Sequence, residues 1–318
     1  MDFLSQVFSS LDPNSNVHVV VHERPDGDAI GSQIALTLYL NSIGKNAFAV
    51  LTEEISETFK YFLGDTPCIK LSELKSDENA TWIALDCVNK TRISKELQHI
   101  PFTTVIDHHP AEPSWAKHTF IDSTASSTCE ILTQLLKQNG YKFQNDRINT
   151  ALYLGLLTDS GNFSHSNVTI HTFECAECLV SAGVQPYKII QQLFNNKTQA
   201  QLKLQSIFLN NVTLYNKGTI AVSTLSEKDY KITQTCHNDT EGFVSSLLTL
   251  KNAKIACFIE DNNDFIKGSL RSSEPTIAVN SVAKKWYGGG HTCAAGFKIE
   301  KDKFDLKELI HDLDSLLA

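Results

Sequence analysis

The stretch "VVVHERPDGDAIGS", residues 19–32, runs three valines directly into one histidine and two aspartates, His22, Asp26 and Asp28. Consecutive β-branched residues predict the end of a buried β-strand. Carboxylates crowded at such a strand end repel one another and take up protons unless a positive group lies among them. This segment therefore predicts a cation-binding site directly after the strand.

The first half of the chain alternates short β-branched or aromatic runs with longer segments of helical period. That order predicts βαβ units around a parallel sheet. We expect strands at 16–21, 46–51, 81–85, 103–106 and 118–121, and helices at 29–43, 55–63, 125–139, 146–158, 169–182 and 186–195.

The pattern changes at about residue 212, where strands begin to follow one another closely. The strands predicted here are "VTLYN", "GTIAVST", "AKIACFIE" and "DFIKGSLRS", with helical stretches at about 240–250 and 276–286. We expect a catalytic, metal-binding domain at 1–190, a linker helix at 191–211 and a substrate-binding domain at 212–318. The predicted fold class is α/β, with a parallel-sheet domain followed by a smaller mixed α/β domain.

The composition narrows the class of protein. A chain of 318 residues with 42% hydrophobic content can bury a sizeable core and favours two domains. Eight scattered cysteines fit a reduced cytoplasm better than a disulfide framework, and we find no apolar run of the roughly 18 residues that a membrane span needs. The net charge of −8 argues against a protein that coats duplex nucleic acid with lysine, so an anionic substrate must be captured locally.

Imidazoles and carboxylates follow each of the main apolar strands of the first half. After the first strand come His22, Asp26 and Asp28, after "WIAL" comes Asp86, and after "TTVI" come Asp107, His108 and His109. In an open parallel sheet these strand ends face one crevice, where such folds bind ligands. The apolar helix in "ALYLGLLTDSGNF" delivers Asp159 to the same region, just before Gly161, where the backbone can turn sharply.

Mixed oxygen and nitrogen ligands suit Mn²⁺, Mg²⁺ or Zn²⁺. Two ions about 3.5–4 Å apart can activate a water and hold both the attacking and the leaving oxygens of phosphoryl transfer. Asp86 and Asp159 are placed to bridge such a pair. The alternatives are structural: Asp28 could cap the helix at 29–43, and His109 could be a satisfied core histidine.

The order of "HERPDGD", "ALD", "VIDHH" and "TDSG" resembles the DHH phosphoesterase family, named for the triplet that stands here as Asp107-His108-His109. The stretches "GSLRSS" (268–273) and "GGGHTCAAGF" (288–297) resemble the DHH-associated C-terminal domain. The resemblance covers nearly the whole chain. It implies a metal-dependent phosphohydrolase that degrades very short RNA to 5′-mononucleotides and also dephosphorylates 3′-phosphoadenosine 5′-phosphate.

The resemblance implies two Mn²⁺ per active site, with Mg²⁺ as the other candidate metal. It assigns His22, Asp26, Asp86 and Asp159 to one ion, and Asp28, Asp86, His108 and Asp159 to the other. It places a catalytic His109 beside the scissile phosphate. We expect Asp107 to orient an imidazole rather than to bind metal.

The family binds the far end of its nucleotide through an arginine and the histidine of GGGH, here Arg271 and His291. Gly288, Gly289 and Gly290 let backbone N–H groups approach an anion closely, and an arginine can form two parallel bonds to phosphate. A glycine-rich loop alone would more often be only a turn.

Three further features have open interpretations. Ser126 and Ser127 match the family's serine-rich helix start and could offer donors to phosphate, or they could simply cap the helix. Trp286 and Tyr287 could stack on a base, although tryptophan more often fills a core. "CAEC" (175–178) has redox or zinc spacing, but no second pair accompanies it, so we expect no metal there.

The chain departs from the family pattern at two places. Relatives often carry an arginine where "GNFSHSN" has Ser164 and His165, and Glu23-Arg24 replaces a small polar residue in the first motif. Arg24 could reach substrate or pair with Glu23.

Other functions remain open at this stage. They are hydrolysis of the linear dinucleotide pApA, inorganic pyrophosphatase activity, and non-catalytic nucleotide sensing. A sensor would lack a ligand, and this sequence lacks none. The expected partners are short single-stranded RNA or dinucleotides and phosphoadenosine phosphate, without a membrane, and a homodimer is one option for the assembly.

Overall fold

The computed structural model describes residues 3–9, 11, 15–75, 79–110, 115–290 and 292–317. The chain divides into two compact units, Met1–Asn195 and Asn196–Ala318. Each unit has its own sheet and its own hydrophobic core. No helix in the described ranges is long and apolar enough to cross a membrane.

The described part of the first unit contains a six-stranded sheet in the order β3-β2-β1-β4-β5-β6. Its strands are β1 (Asn16–Val20), β2 (Asn46–Leu51), β3 (Cys68–Lys70), β4 (Thr81–Leu85), β5 (Phe102–Asp107) and β6 (Ala116–Ile121). Every pairing is parallel, and Val19 of the central strand pairs with Ala49 and Ile83. The predicted parallel-sheet α/β class is confirmed.

Helices cover one face of this sheet, and the irregular segment after β4 packs on the other face. The helices of the unit are α1 (Phe3–Ser9), α2 (Gly27–Ser42), α3 (Glu57–Leu63), α4 (Thr128–Gln138), α5 (Asp146–Asp159), α6 (Ile170–Ser181) and α7 (Pro186–Phe194). Val17 and Val19 point into the core that these helices form, whereas Val20 packs against Ile93 and Leu97 of the irregular segment after β4. Helices α2, α4 and α5 therefore share the face that leads to the strand ends.

Glycines let α2 and α5 pack against each other at very short range. A Cβ atom at Gly31 would lie 2.4 Å from the carbonyl oxygen of Ala151, and one at Gly27 would lie 2.4 Å from Cγ2 of Thr158. Gly155 on α5 has no room for a Cβ either. Because the first turn of α2 meets the last turn of α5, the aspartates that these turns carry are brought together.

The second unit is built on a mixed sheet, which over the described residues has six strands in the order β11-β12-β10-β9-β8-β7. The elements are α8 (Gln199–Asn210), β7 (Thr213–Tyr215), β8 (Ile220–Ser226), α9 (Glu227–Thr233), α10 (Phe243–Ser246), β9 (Ile255–Asp261), β10 (Phe265–Ser272), α11 (Val279–Lys285), β11 (Gly289–Gly290), β12 (Ala294–Glu300) and α12 (Leu306–Asp314). Strands β8 and β9 are parallel and the other pairs antiparallel. The predicted mixed-sheet class is confirmed.

Two parts of the second unit differ from the prediction. The helix predicted at 240–250 is instead the single turn α10 followed by a 3-10 turn, Leu247–Thr249, because Gly242 enters α10 in a left-handed conformation and Leu250 leaves it extended. Strand β12 was not predicted, since "AAGFKIE" has little strand preference of its own. It forms by pairing with β10 along seven residues.

A buried carboxylate connects polar groups on the sheet of the second unit. The side chain of Glu260 on β9 is 1% exposed, and its oxygens lie 2.6 Å from Nζ of Lys267 and 2.8 Å from Nδ1 of His237. It also accepts a 2.9 Å hydrogen bond from the Tyr230 hydroxyl. Burial raises the pKa of Glu260, but these three partners outweigh it, so the pKa lies below its usual value of 4.5.

We expect Glu260→Gln to lower the free energy of unfolding at neutral pH by about 1–3 kcal/mol. A carboxyl group with a depressed folded-state pKa stabilises the folded protein above its unfolded pKa of 4.5, and this contribution disappears as the pH falls through the folded value. The variant should therefore lose less stability than the parent below pH 4.5. Urea unfolding across a pH series measures both effects.

The matched control is Glu300→Gln. Glu300 pairs with Lys303 at the surface, where both side chains are largely exposed. Its loss should change the free energy of unfolding by no more than about 0.5 kcal/mol. Equal stability of the Glu260 variant and the parent at neutral pH would contradict the role given to Glu260.

We expect Gly155→Ala to destabilise the protein. The added methyl would lie 2.3 Å from Sγ of Cys129 and 2.4 Å from Oδ1 of Asp28, both in fully buried residues. Alanine gains about 1 kcal/mol in helix propensity, but overpacking costs about 1–3 kcal/mol, so a net loss follows. Gly289→Ala, where nothing lies within 4 Å, should leave thermal unfolding unchanged. A Gly155 variant as stable as the parent would show that the seam between α2 and α5 can relax.

Candidate metal centre

His22 lies directly after β1 with one ring nitrogen engaged and the other buried. Its Nδ1 lies 2.8 Å from the carbonyl oxygen of Glu23. Its Nε2 is buried, has no hydrogen bond among the described residues, and lies 3.4 Å from Oδ2 of Asp86 and 3.9 Å from Oδ2 of Asp26. His22, Asp26 and Asp86 thus offer three ligand atoms within 4.8 Å of one another.

The start of α2 separates the roles of its two aspartates. Asp26 caps the helix, because its Oδ1 accepts from the backbone N–H groups of Asp28 and Ala29. The helix-capping role considered for Asp28 therefore belongs to Asp26. The side chain of Asp26 is still 56% exposed. Asp28 lies two residues further along, within the first turn of α2, and is fully buried.

The start of α4 holds the Asp28 carboxylate in place. The backbone N–H of Thr128 donates to Oδ2 at 2.7 Å, and that of Cys129 donates to Oδ1 at 2.9 Å. Burial, followed by the charges of Asp86 and Asp159, raises the pKa of Asp28 well above its usual value. A positive partner is needed to keep this carboxyl group ionised.

The triplet after β5 divides into one orienting carboxylate and two imidazoles. Oδ1 of Asp107 accepts from the backbone N–H of His109 at 2.8 Å and lies 2.7 Å from Nδ1 of the same residue. Burial lowers the pKa of His109, but Asp107 and Asp86 outweigh it and raise the pKa to about 10. Nε2 of His108 is buried without a hydrogen bond among the described residues and lies 3.1 Å from Oδ2 of Asp159.

Asp159 ends α5, and the chain turns away from the site immediately after it. Gly161, Asn162 and Phe163 all have a left-handed backbone, with φ of 55°, 57° and 59°. Burial, followed by the charges of Asp26 and Asp86, raises the pKa of Asp159 well above its usual value. The expected sharp turn at Gly161 is present, and it leaves Asp159 at the edge of the acidic cluster.

Polar side chains brace the loop that follows Asp159. The amide of Asn167 donates to the carbonyl oxygens of Asp159, at 3.1 Å, and of Ser126, at 3.0 Å. Nδ1 of His165 lies 3.2 Å from the same Asp159 oxygen, and the Ser164 hydroxyl donates within the loop. The residues that replace the family's arginine therefore make contacts that support Asp159.

Asp86 stands at the centre of the site. Its side chain is 1% exposed; Oδ1 lies 3.6 Å from Nε2 of His108 and 3.4 Å from Nδ1 of His109, and accepts from the Thr128 hydroxyl at 3.1 Å. Burial raises the pKa of Asp86, but contacts with His109 and His22 and the charge of His108 outweigh it and lower the pKa. Its backbone is left-handed, with φ of 52°, a strained conformation typical of functional sites.

The side chains present fit divalent metal. The described residues form three overlapping groups of ligand atoms: Asp86, Asp107, His108 and His109; His22, Asp26 and Asp86; and Asp28, His108 and Asp159. Among the described residues, one buried imidazole nitrogen of His22 and one of His108 lack a hydrogen bond, and the pKa values of Asp28 and Asp159 are raised by burial and by the like charges around them. Oxygen and nitrogen donors in this combination suit Mn²⁺, Mg²⁺ or Zn²⁺.

The structure does not bring Ser126 and Ser127 to the open part of the site. Both are fully buried. Ser127 caps α4 by accepting from the N–H of Glu130, and the Ser126 hydroxyl donates to the Glu130 carboxylate at 2.6 Å. Both hydroxyls are used at the start of α4, so they do not face an open substrate site.

The sequence analysis missed Thr128, Cys129 and Asn167, which hold two of the predicted ligands. A helix start next to a carboxylate is a general signal for such contacts, because the first N–H groups of a helix lack partners within the helix. In "SSTC" the backbone N–H groups of Thr128 and Cys129 bind a predicted ligand, whereas the sequence analysis considered only the serine hydroxyls.

The second unit places Arg271 close to the glycine loop. Arg271 on β10 pairs in register with Ala294 of β12, and Gly289 and Gly290 of β11 pair with the same strand β12. The guanidinium is partly buried, donates to the carbonyl oxygen of Leu270 at 2.9 Å, and has its pKa lowered by burial alone, with no acidic partner among the described residues. An unpaired cation of this kind suits an anionic ligand.

Three other predictions concern this region or the cysteine pair. His291 lies outside the described residues. Trp286 is 4% exposed and packs in the core, so its base-stacking role is wrong. Cys175 is buried in the core that α6 joins.

Comparisons with known proteins agree with the geometry. Residues 16–157 match the DHH family, N-terminal domain, and residues 217–318 match the DHHA1 domain. The chain is 30% identical over 302 residues to the bifunctional oligoribonuclease and PAP phosphatase NrnA of Bacillus subtilis (strain 168), covering 93% of this chain and 92% of that protein. It is 26% identical to the cyclic-di-AMP phosphodiesterase GdpP of the same organism, covering 95% of this chain and 48% of GdpP.

Among solved structures, an exopolyphosphatase-related protein from Bacteroides fragilis is similar over 99% of this chain and 94% of its own, with a TM-score of 0.87 and 25% identity. The similarity extends through both units. With ligand-type residues after β1, β4, β5 and α5, and with both domains matched in order, this chain belongs to the DHH family of metal-dependent phosphoesterases.

Proposed function

We propose that this protein is a Mn²⁺-dependent phosphohydrolase that releases 5′-mononucleotides from very short RNA and also dephosphorylates 3′-phosphoadenosine 5′-phosphate. The observation that carries the proposal is the cluster around Asp86, where imidazole nitrogens that have no hydrogen bond within the described part of the chain face carboxylates. The substrate class is supported by the 30% identity to a B. subtilis protein whose name states both activities.

The proposed roles follow from the contacts. His22 and Asp26 would hold one ion and Asp28 and His108 the other, with Asp86 and Asp159 shared between them. Two divalent ions, when bound, supply Lewis acidity that activates water and neutralises charge on the phosphate. Because α4 donates two N–H groups to Asp28, this ligand is held in one orientation before metal arrives.

His109 has a separate role in the proposal. One Asp107 oxygen accepts from the His109 backbone N–H and contacts the ring at Nδ1, so Nε2 faces away from Asp107. From that position His109 would donate a hydrogen bond to the phosphate or a proton to the leaving oxygen. Asp107 acts through this imidazole.

The second unit would bind the part of the substrate that is not cleaved. Arg271 offers a guanidinium with no acidic partner in the described ranges, and Gly288 and Gly290 lie so close to β12 that a Cβ atom would come within 2.6 Å of its carbonyl oxygens. The proposal assigns the anion to this glycine loop and Arg271, with His291 as a further binding residue. All eight cysteines, each in the described part of the chain, are free, which supports the proposed location in the cytoplasm.

A panel of substrates tests the proposal. Purified protein with Mn²⁺, and in parallel with Mg²⁺, is given a 5′-labelled RNA dimer, pApA, phosphoadenosine phosphate and pyrophosphate. We expect turnover of the RNA dimer and of phosphoadenosine phosphate. Turnover of pyrophosphate alone would replace the nucleotide assignment, preference for pApA would favour the dinucleotide phosphodiesterase, and binding without turnover would indicate a sensor.

We expect Asp86→Asn and Asp86→Ala to reduce turnover by several orders of magnitude, because loss of a shared ligand disturbs both ions. Asparagine tolerates the left-handed backbone at this position, so Asp86→Asn removes the charge with little strain. Calorimetric titration with Mn²⁺ should show the loss of tight binding. Asp146→Asn, at the exposed opposite end of α5, is the matched control, and rates near those of the parent in Asp86→Asn would remove Asp86 from the site.

A further inference from the structure

Tyr287 is an exposed aromatic residue in a position that normally suits glycine. Its side chain is 82% exposed, and its backbone is left-handed, with φ of 61°. A bulky side chain in this region of backbone space is strained. Neither packing nor backbone preference therefore accounts for a tyrosine here.

The hydrogen bonds around Tyr287 identify the position. The N–H of Gly288 donates to the carbonyl oxygen of Ala283 at 2.8 Å, and that of Tyr287 donates to Lys284 at 3.2 Å. With Trp286 as the C-cap of α11, these two bonds form a Schellman motif, and Tyr287 is its left-handed residue. Glycine, or sometimes asparagine, is the usual residue there.

The residues on either side prevent Tyr287 from folding back onto the protein. The Trp286 indole N–H donates to Asp312 at 2.9 Å, and its ring packs 5.7 Å from that of Phe297. On the other side, a Cβ atom at Gly288 would lie 2.0 Å from the carbonyl oxygen of Gly296. Because both neighbours are fixed against the sheet, the tyrosine ring projects outward at the start of the glycine loop.

We propose that Tyr287 stacks on a nucleobase of the substrate while the glycine loop and Arg271 hold the adjoining phosphate. This inference rests on the proposed function and extends it to how the second unit selects nucleotides. Gly288 follows Tyr287 directly, and the next two residues, Gly289 and Gly290, pair with β12, the strand beside Arg271. An exposed ring, a glycine loop and a guanidinium without an acidic partner among the described residues thus lie on neighbouring strands, as recognition of a base with its phosphate requires.

In this proposal, binding of a base accounts for a tyrosine in the strained backbone conformation at position 287. Stacking of a base on an aromatic ring changes binding by about 5- to 150-fold per base and tolerates different bases. A glycine at this position would relax the backbone but offer no surface for a base. Tyr287 should therefore favour substrates with a base next to the bound phosphate over inorganic pyrophosphate.

The test compares Tyr287→Gly, Tyr287→Ala and Tyr287→Phe on an RNA dimer and on the same dimer with one base removed. We expect Gly and Ala to raise KM for the intact dimer about tenfold with little change in kcat, and Phe to keep the parent value. The abasic dimer that lacks the stacked base should be bound equally by all four proteins. Tyr287→Gly should also raise the midpoint of thermal unfolding by about 2–4 °C, since it removes strain.

Calorimetric binding of 3′-phosphoadenosine 5′-phosphate, measured without added metal so that it is not hydrolysed, separates this inference from the proposed function. If the parent binds this nucleotide but hydrolyses no RNA dimer, the proposed function fails, and the loss of binding in Tyr287→Ala still measures stacking. If Tyr287→Ala binds and hydrolyses every substrate as the parent does, stacking is overturned and the hydrolase stands. Failure of the parent to bind any base-containing probe overturns both.

Discussion

Repulsion among buried carboxylates is the constraint on which the first unit depends. Asp28, Asp86 and Asp159 lie within reach of the same imidazoles, and burial raises the pKa of Asp28 and Asp159, with their mutual charges adding to it. Asp86 escapes only because His22, His108 and His109 surround it. Charges gathered in this way are costly without a compensating cation, so the fold must hold them against a force that would otherwise push them apart.

The restraint comes from backbone more than from side chains. Two N–H groups of α4 bind Asp28, Asn167 binds the carbonyl oxygen of Asp159, and the left-handed turn at Asp86 fixes that residue directly after β4. Each of these contacts is made by a helix end, a turn or a strand end. Side chains held by such rigid elements are positioned before metal binds, which is what a metal site requires.

Those parts of the site that have a local sequence pattern could be predicted from the sequence. His22, Asp86 and the triplet at 107–109 could be predicted because each follows an apolar strand, and parallel strands end at one edge. The roles of Ser126 and Ser127 could not be predicted from the sequence. Whether a hydroxyl faces the substrate or its own helix depends on how the helix packs in the folded protein. Trp286 and Tyr287 look alike as neighbours in the sequence, yet the end of α11 buries one ring and exposes the other.

The glycines between α2 and α5 have a consequence for the chemistry at the ends of these helices. Asp28 begins one helix and Asp159 ends the other, so the width of the seam sets how far apart the two carboxylates stand. The helices can approach this closely because Gly27, Gly31 and Gly155 have no Cβ atom, and at each position there is no room for one. The separation of the two carboxylates is thus set by the lack of Cβ atoms at these three glycines, and under the proposed function the same helix pair would set the spacing of the bound metal.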